Sequence, residues 1–192
     1  LGRLREDFPD VSFHAFTATA TERVRRDIVS ELRLREPAVL VGSFDRPNLT
    51  YRVLRRGTLQ RQLADILARH EGEAGIVYCQ SRREVEALAD RLHGDGHRAV
   101  PYHAGLSDEQ RHANQDAFLD EHIDVVVATV AFGMGIDRSD VRFVVHAGAP
   151  RSLEHYQQES GRAGRDGLEA ECVLVYSGAD FLHGPIALVE PG

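Results

Sequence analysis

Two arginines, Arg162 and Arg165, stand three positions apart in a stretch of small residues near the end of the chain. Residues 152–156 have the pattern of a helix start with Ser152 as its cap, so the arginines are predicted to share one face near the end of a short helix. Two guanidinium groups on one face suit a phosphate, because each offers a planar fork of donors and keeps its charge when desolvated. A solvated helix end with Gly167 as its stop explains the same residues, so both interpretations stay open on this stretch alone.

Two further loops join an apolar strand to a helix and carry residues suited to a phosphate. Ser81 and Arg82 follow the apolar run 75–79, and a helix N-terminus that bears a hydroxyl and arginines is a good seat for a phosphate. His103 and Gly105 lie in the next such loop, where small residues let a phosphate chain approach the backbone. An ordinary helix cap and a tight turn explain each loop equally well.

The segment 127–137 is a stronger signal, because an apolar strand runs directly into Thr129, two spaced glycines and a terminal aspartate. Thr129 can donate a hydrogen bond to a phosphate, while Gly133 and Gly135 let the backbone fold tightly. Asp137 can accept a hydrogen bond from a ribose hydroxyl or pair with an arginine. The alternative is a long loop whose apolar residues pack into the core, but it does not readily explain several such loops together.

These loops need elements that bring them to one place, and the hydrophobic pattern predicts such elements. Predicted strands cover residues 11–16, 39–41, 48–54, 75–79, 99–102, 124–129, 142–146 and 171–176. Predicted helices cover 21–32, 59–70, 81–93 and 107–119, and another begins at 152. Strands that alternate with helices at this spacing indicate right-handed βαβ units and a mostly parallel sheet, in which ligands bind at the carboxyl ends of the strands.

The composition excludes several classes of protein. Apolar residues make up 42% and charged residues 28% of the chain, which is ordinary for a globular domain. A net charge of −7 argues against coating nucleic acid through bulk electrostatics but not against a local basic groove. Cys79 and Cys172 lie in strand-like runs and are predicted to be buried free thiols of a reducing cytoplasm. With two cysteines and no paired histidine motif, no zinc site is expected.

The motifs, taken in order, resemble the RecQ DNA helicases of superfamily 2. FTATAT from Phe16 resembles motif III of the first RecA-like domain, and SFDRPNLTYRV from Ser43 resembles the linker between the domains. IVYCQSRREVEALADRL is similar to motif IV, YHAGLSDEQR to the block after it, and AFGMGID to motif V. QESGRAGRDG, which begins at Gln158, is similar to motif VI. DEAD-box RNA helicases generally carry His at that position, so the RNA branch matches less well.

The resemblance implies a RecA-like α/β domain with helices on both faces of the sheet, and it implies roles for individual residues. Arg165 would be the arginine finger that reaches ATP bound on the other domain, with Arg162 beside it. The residues implied to bind ATP or to couple it to domain closure are Gln158, Asp137, Gly135 and Gly161. The residues implied to follow single-stranded DNA are Ser81, Arg82, His103, Gly105 and Thr129. Thr17 and Thr19 would link the two sites.

The resemblance also implies a division of the chain and of its chemistry. Residues 1–42 would be the end of the first RecA-like domain, 43–57 the linker and first strand, and 58–192 the second domain. The chain contains no GxxxxGK[ST] loop, no lysine and no acidic tetrad for magnesium, so ATP and Mg²⁺ would be held mainly by the first domain. The intact protein is expected to be a cytoplasmic 3′-to-5′ DNA helicase, nucleoid-associated if bacterial, in recombination and repair. The alternative is a non-catalytic nucleic-acid-binding module.

Overall fold

A computed structural model describes residues 6–17, 20–42, 45–133 and 136–181. The chain divides into two compact units, residues 1–45 and residues 46–192.

The first unit contains the helix α1 (Glu22–Glu31), whose N-cap is Thr21, as predicted. The Thr21 hydroxyl accepts from the Val24 amide at 3.4 Å. The strands predicted over 11–16 and 39–41 are wrong, because neither segment forms a β-ladder in the described part of this unit. An apolar run becomes a strand only when a neighbouring strand satisfies its backbone. Thr17 is exposed, and Thr19 lies outside the described residues.

The second unit is a six-stranded sheet in which every pair of neighbouring strands is parallel. The strands are β1 (Leu49–Arg55), β2 (Ala74–Tyr78), β3 (Ala99–Tyr102), β4 (Val125–Ala128), β5 (Val141–His146) and β6 (Ala170–Tyr176). The helices are α2 (Leu59–Arg69), α3 (Arg82–Gly94), α4 (Asp108–Leu119) and α5 (Leu153–Ser160), and a 3₁₀ turn covers Gly178–Phe181. The strand order is β1-β6-β5-β2-β4-β3.

Alternating strand residues build a separate core on each face of the sheet. Val77 and Val127 join the core that α2 and α3 cover, with Leu63 and Val85 among its members. Their neighbours Ile76 and Val126 face the opposite side and pack with Phe118 of α4. Strands buried on both faces read as continuous apolar runs, which is why β2 and β4 were recognisable in the sequence. The predicted α/β fold, with a mostly parallel sheet and helices on both faces, is confirmed.

The helix ahead of the arginines is shorter than the sequence suggested. It ends at Ser160, and the amide of its C-cap, Gly161, donates to the Gln157 carbonyl at 2.9 Å. Arg162 and Arg165 therefore lie in the turn that follows, and the prediction that they share one face of the helix is wrong. The turn leaves the helical path because Gly164 adopts φ +54°, and its amide donates to the Val141 carbonyl at 2.8 Å. Glycine takes up this left-handed conformation without a steric penalty.

Among the described residues, no helix combines the length and the apolar character needed to cross a membrane.

Candidate nucleotide and nucleic-acid site

Three of the predicted phosphate loops lie side by side, because they follow the adjacent strands β2, β4 and β3. The Arg82 side chain reaches the second loop, and its Nη1 lies 3.1 Å from where a Cβ on Gly105 would stand. The Thr129 amide donates to the Tyr102 carbonyl at 3.2 Å, which ties the third loop to the end of β3. The fold therefore brings together, at the carboxyl end of the strands, Ser81, Arg82, His103, Gly105 and Thr129.

The N-terminus of α3 lies at this end of the sheet. The Ser81 hydroxyl accepts from the Glu84 amide at 3.3 Å, and the Glu84 carboxylate accepts from the Ser81 amide at 3.0 Å. This reciprocal pair is a capping box, which fixes the first turn of the helix. The partial positive charge of the helix N-terminus adds to the charge of Arg82. Together they favour an anion at this point.

His103 is turned into the protein, with 2% of its surface exposed. Its Nδ1 accepts from the Gly105 amide at 3.1 Å, and its Nε2 lies 3.2 Å from the Glu86 carboxylate. The angle of the second contact is too poor for a hydrogen bond. His103 therefore shapes the loop from inside, while Ala104 and Gly105 form its exposed surface.

Thr129 follows the carboxyl end of β4 and Asp137 precedes the amino end of β5, so the two residues lie toward opposite ends of the strands. Phe132 anchors the segment between them, with 1% exposure and ring contacts to Tyr102 at 4.7 Å and Phe118 at 5.9 Å. Gly135 and its neighbour at position 134 lie outside the described residues. The segment thus carries Thr129 at one end, beside the phosphate loops, and Asp137 at the other.

Arg165 lies at the Asp137 end of this segment. Its Nη1 donates to the Ile136 carbonyl at 2.9 Å and to Asp137 Oδ1 at 3.1 Å. The Asp137 side chain is 93% exposed and that of Arg165 is 36% exposed. An ion pair with this much solvent around it contributes about 0–1 kcal/mol. A stronger anion can therefore recruit the Arg165 guanidinium at little cost.

Arg162 is held more deeply than Arg165, against Gly133 in the segment 129–137. A Cβ on Gly133 would stand 2.4 Å from Arg162 Nη2, so the guanidinium occupies the space that only glycine leaves open. Arg162 Nε is buried and has no hydrogen-bond partner among the described residues. Arg162 also lies close to the phenol of Tyr78, which donates to the Phe132 carbonyl at 3.0 Å. Burial raises the pKa of Tyr78 well above its ordinary value despite the opposing charge of Arg162, so the phenol remains a donor.

A buried hydrogen-bonded pair supports the arginine turn from the sheet, and the sequence patterns did not reveal it. His146 Nε2 and Glu159 Oε2 are 2.8 Å apart, and less than a tenth of either side chain is exposed. The His146 ring also stacks on Tyr78 at 5.3 Å. The available signal was a polar residue at the end of the apolar strand β5 and a second one in α5. Gln158, the neighbour of Glu159, is exposed on α5.

The cysteines lie inside the two cores, as predicted, and neither forms a disulfide. Burial raises the pKa of Cys79 and of Cys172 to about 12. No group of three or more histidine, cysteine or acidic side chains with the arrangement of a metal site occurs among the described residues. The arginines and the capped helix fit the phosphates of a nucleotide or a nucleic acid, whereas this part of the chain offers no carboxylate cluster for Mg²⁺.

Comparison with known proteins identifies the family. Residues 58–167 match the model of the helicase conserved C-terminal domain. The whole chain is 49% identical to the ATP-dependent DNA helicase RecQ of Pasteurella multocida, of which it covers 30%. Over 92% of its length it is 45% identical to the RecQ-like DNA helicase BLM of Xenopus laevis, of which it covers 13%. The chain thus spans less than a third of the curated relatives that it matches.

Solved structures support the fold independently. A DEAD box protein from the hyperthermophile Methanococcus jannaschii shares 24% sequence identity and a TM-score of 0.65, over 87% of this chain and 46% of that one. The Escherichia coli DEAD-box protein SrmB, solved bound to regulator of ribonuclease activity A, superimposes with a TM-score of 0.61 over 71% of this chain and 86% of that one. The sheet is therefore that of a RecA-like helicase domain, and the chain belongs to the helicase conserved C-terminal domain family and, within it, to the RecQ helicases.

Proposed function

We propose that this chain supplies the second RecA-like domain of an ATP-dependent 3′-to-5′ DNA helicase that acts in recombination and repair, at the nucleoid if the source is bacterial. The segment 129–137 carries the proposal, because Thr129 at one end lies beside the two other phosphate-type loops, and Asp137 at the other end pairs with Arg165 of the arginine turn. One continuous piece of backbone thereby contacts both candidate sites. A change at the nucleotide can be passed to the nucleic acid through it.

Arg165 is the proposed arginine finger. Its guanidinium is partly exposed and is held by one carbonyl and an exposed carboxylate, so it can turn toward the phosphates of ATP bound on the first domain. Fixed positive charge at a transferring phosphoryl group stabilises the charge that develops there. Arg162 would hold the neighbouring side of the phosphate, and Gln158 and Asp137 would couple the nucleotide to closure of the domains. Mg²⁺ would be held mainly by the first domain.

The three adjacent loops are the proposed path of single-stranded DNA. Ser81 and Arg82 offer a helix N-terminus and a cation, Gly105 offers backbone that a phosphate can approach, and Thr129 offers a hydroxyl. Phosphate contacts of this kind position a strand without reading its sequence. His103 would act indirectly by shaping its loop.

Residues 1–42 are proposed to be the end of the first RecA-like domain. Large exposed apolar side chains are frequent in this unit: Phe8, Val11, Phe16, Val24, Val39, Leu40 and Val41. Exposed apolar side chains in this number favour burial against a partner, and the remainder of a first domain would bury them. Thr17 and Thr19 would couple the two sites there. A non-catalytic nucleic-acid-binding module, which would use only the three phosphate-type loops, is the second candidate.

An ATPase measurement separates the two candidates. The chain by itself is expected to show no DNA-stimulated ATP hydrolysis, whereas the full-length protein is expected to show it. In the full-length protein Arg165→Ala should lower kcat by roughly a thousandfold or more, and Arg61→Ala, an exposed arginine on α2, should leave it unchanged. A full-length protein without DNA-stimulated ATPase favours the binding module. Hydrolysis by the chain alone that Arg165→Ala abolishes contradicts the proposed division of the active site.

A further inference from the structure

Two side chains just before β1 hold the backbone of the arginine turn, and neither belongs to the site described so far. Arg46 Nη2 donates to the carbonyls of Ala163 and Gly164, both at 2.8 Å. Asn48 Nδ2 donates to the carbonyls of Gly164 at 2.9 Å and Leu168 at 2.8 Å. Four hydrogen bonds from this short segment therefore converge on a turn more than a hundred residues later in the chain.

The two side chains also fix each other. Arg46 Nε donates to Asn48 Oδ1 at 3.4 Å, which leaves the Asn48 amide nitrogen facing the two carbonyls. Through its own backbone, Asn48 accepts from the Ala170 amide at 3.0 Å at the start of β6. Arg46 and Asn48 are both half-buried, so water competes less for these bonds than at an open surface.

The contacted carbonyls are the ones that determine how Arg162 and Arg165 are spaced. Ala163 and Gly164 are the only residues between the two arginines, and both are buried. Three donors meet on the Gly164 carbonyl, since the Gly167 amide also donates to it at 3.0 Å. A Cβ on Gly164 would stand 2.5 Å from Asn48 Nδ2, so this close approach requires glycine.

We infer that Arg46 and Asn48 are positioning residues for the arginine finger: they clamp the backbone between Arg162 and Arg165 and so set the relative placement of the two guanidiniums. The inference rests on the proposed function for its catalytic consequence. Misplacing a catalytic group by about 1 Å can lower the rate roughly a hundredfold. The backbone of a turn that carries two catalytic arginines must therefore be fixed in position. Arg46 and Asn48 lie at the end of the proposed interdomain linker. Their hydrogen bonds therefore also connect the backbone beside Arg165 to that linker.

The first test needs no activity. Trypsin cleaves after arginine, and cleavage after Arg162 and Arg165 in the native chain requires the turn to open. Such cleavage follows the population of the open form when opening and closing are fast. Loss of the charge-assisted bonds in Arg46→Ala, or of the amide in Asn48→Ala, should raise cleavage at these two sites roughly tenfold.

Asn48→Asp provides a second variant of the same shape, in which a carboxylate oxygen faces the two carbonyls and repels them. Two matched controls lie elsewhere in the fold. Asn114 donates from Nδ2 to the Pro101 carbonyl at 2.8 Å, and Arg98 donates from Nη1 to the carbonyls of Glu121 and His122 at 3.2 and 3.3 Å. Asn114→Ala and Arg98→Ala should leave cleavage after Arg162 and Arg165 unchanged.

The second test separates positioning from simple stability. In the full-length protein Arg46→Ala and Asn48→Asp should lower kcat for ATP roughly tenfold or more, with KM changed less than about twofold. Arg46→Lys, which keeps the positive charge and N–H donors but lacks the planar fork of the guanidinium, should recover part of the loss. Asn114→Ala and Arg98→Ala should keep the wild-type kcat.

Distinct outcomes overturn the inference and the proposed function. Unchanged tryptic cleavage in the folded Arg46 and Asn48 variants overturns the clamp itself. Increased cleavage with wild-type kcat, in a protein that Arg165→Ala inactivates, overturns the positioning role. If the full-length wild-type protein does not hydrolyse ATP, the proposed function fails, and the positioning of a catalytic finger fails with it.

Discussion

The two arginines of the turn differ in how firmly they are held, and this difference suits different tasks. Arg162 is packed against Gly133 and Tyr78, with Nε buried. Arg165 is exposed, and a weak surface ion pair with Asp137 retains it. A fixed cation can define where a phosphate sits, whereas a loosely held one can move onto the phosphate as it arrives. Arg162 is therefore the fixed cation of the pair, and Arg165 is the one that can move.

The space beside Gly133 yields a prediction at the scale of one residue. Gly133→Ala would place a methyl group 2.4 Å from Arg162 Nη2, and the flexible guanidinium will move rather than the backbone. We expect the free energy of unfolding to change by less than about 1 kcal/mol. The kcat of the full-length ATPase should fall about a hundredfold, because Arg162 loses its position. Urea unfolding and steady-state kinetics measure the two effects.

Gly57→Ala is the matched control, because nothing lies within 4 Å of the position that its Cβ would take. It should leave kcat unchanged. Wild-type kcat in Gly133→Ala would show that the placement of Arg162 beside Gly133 has no catalytic importance.

At the scale of elements, one carboxylate links three elements at the amino end of the sheet. Glu171 of β6 is 8% exposed and pairs with Arg52 of β1 at 2.6 Å. It also contacts Arg69 at the end of α2 and the adjacent His70, both at 3.0 Å. One acidic side chain thus joins the edge strand, its neighbour and the helix that connects β1 to β2. The phosphate loops lie at the opposite, carboxyl end of the strands.

Glu171 predicts how stability depends on pH. Burial alone would raise its pKa, but hydrogen bonds from His70 and Arg69 and the charges of Arg69 and Arg52 outweigh it, so the pKa lies below its ordinary value of 4.5. The stability from ionised Glu171 is therefore fully present above about pH 4.5 and is lost as the pH falls through the lower folded-state value. Glu171→Gln should flatten the fall in the free energy of unfolding below pH 4.5, measured by urea unfolding at a series of pH values.

Glu169→Gln, at an exposed position two residues earlier, should keep the wild-type slope. Parallel pH profiles for the wild type and Glu171→Gln would contradict the role assigned to this carboxylate.

At the scale of the whole molecule, the elements that make a stable domain all lie in residues 46–192. The six strands, both cores and the helices that cover them belong to this unit. Residues 1–45 form the first unit, which contains the helix α1 and many exposed apolar side chains. The six-stranded sheet therefore lies in the second unit, whereas the described residues of the first unit form no β-ladder.

Residues 46–192 are consequently expected to fold alone. Removal of residues 1–45 should leave a single cooperative urea transition, with a free energy of unfolding within about 1 kcal/mol of the value for the same transition in the whole chain. Circular dichroism and intrinsic tyrosine fluorescence should follow one curve. Non-coincident curves, or a marked loss of stability, would show that the first segment is required for the sheet.

The sequence by itself determined the fold class, nearly every strand and helix of the second unit, and the family. Apolar runs such as 75–79 and caps such as Ser81 and Ser107 are local signals, and local backbone preferences and burial on both faces follow from them directly. The family motifs could also be recognised in the sequence, because they are short and contiguous. The strands predicted over 11–16 and 39–41 failed because a strand exists only with a partner.

Only the tertiary structure decided how the candidate site is built. The left-handed Gly164 takes the turn out of the helix, so Arg162 and Arg165 do not share a helical face. The contacts that position the turn join residues that no local pattern connects. His146 reaches Glu159 in the next helix, and Arg46 and Asn48 reach carbonyls more than a hundred residues later. Contacts to backbone carbonyls impose no periodicity on the sequence, since every residue type offers the same acceptor. Such contacts exist only after the sheet has brought β1 and β6 together.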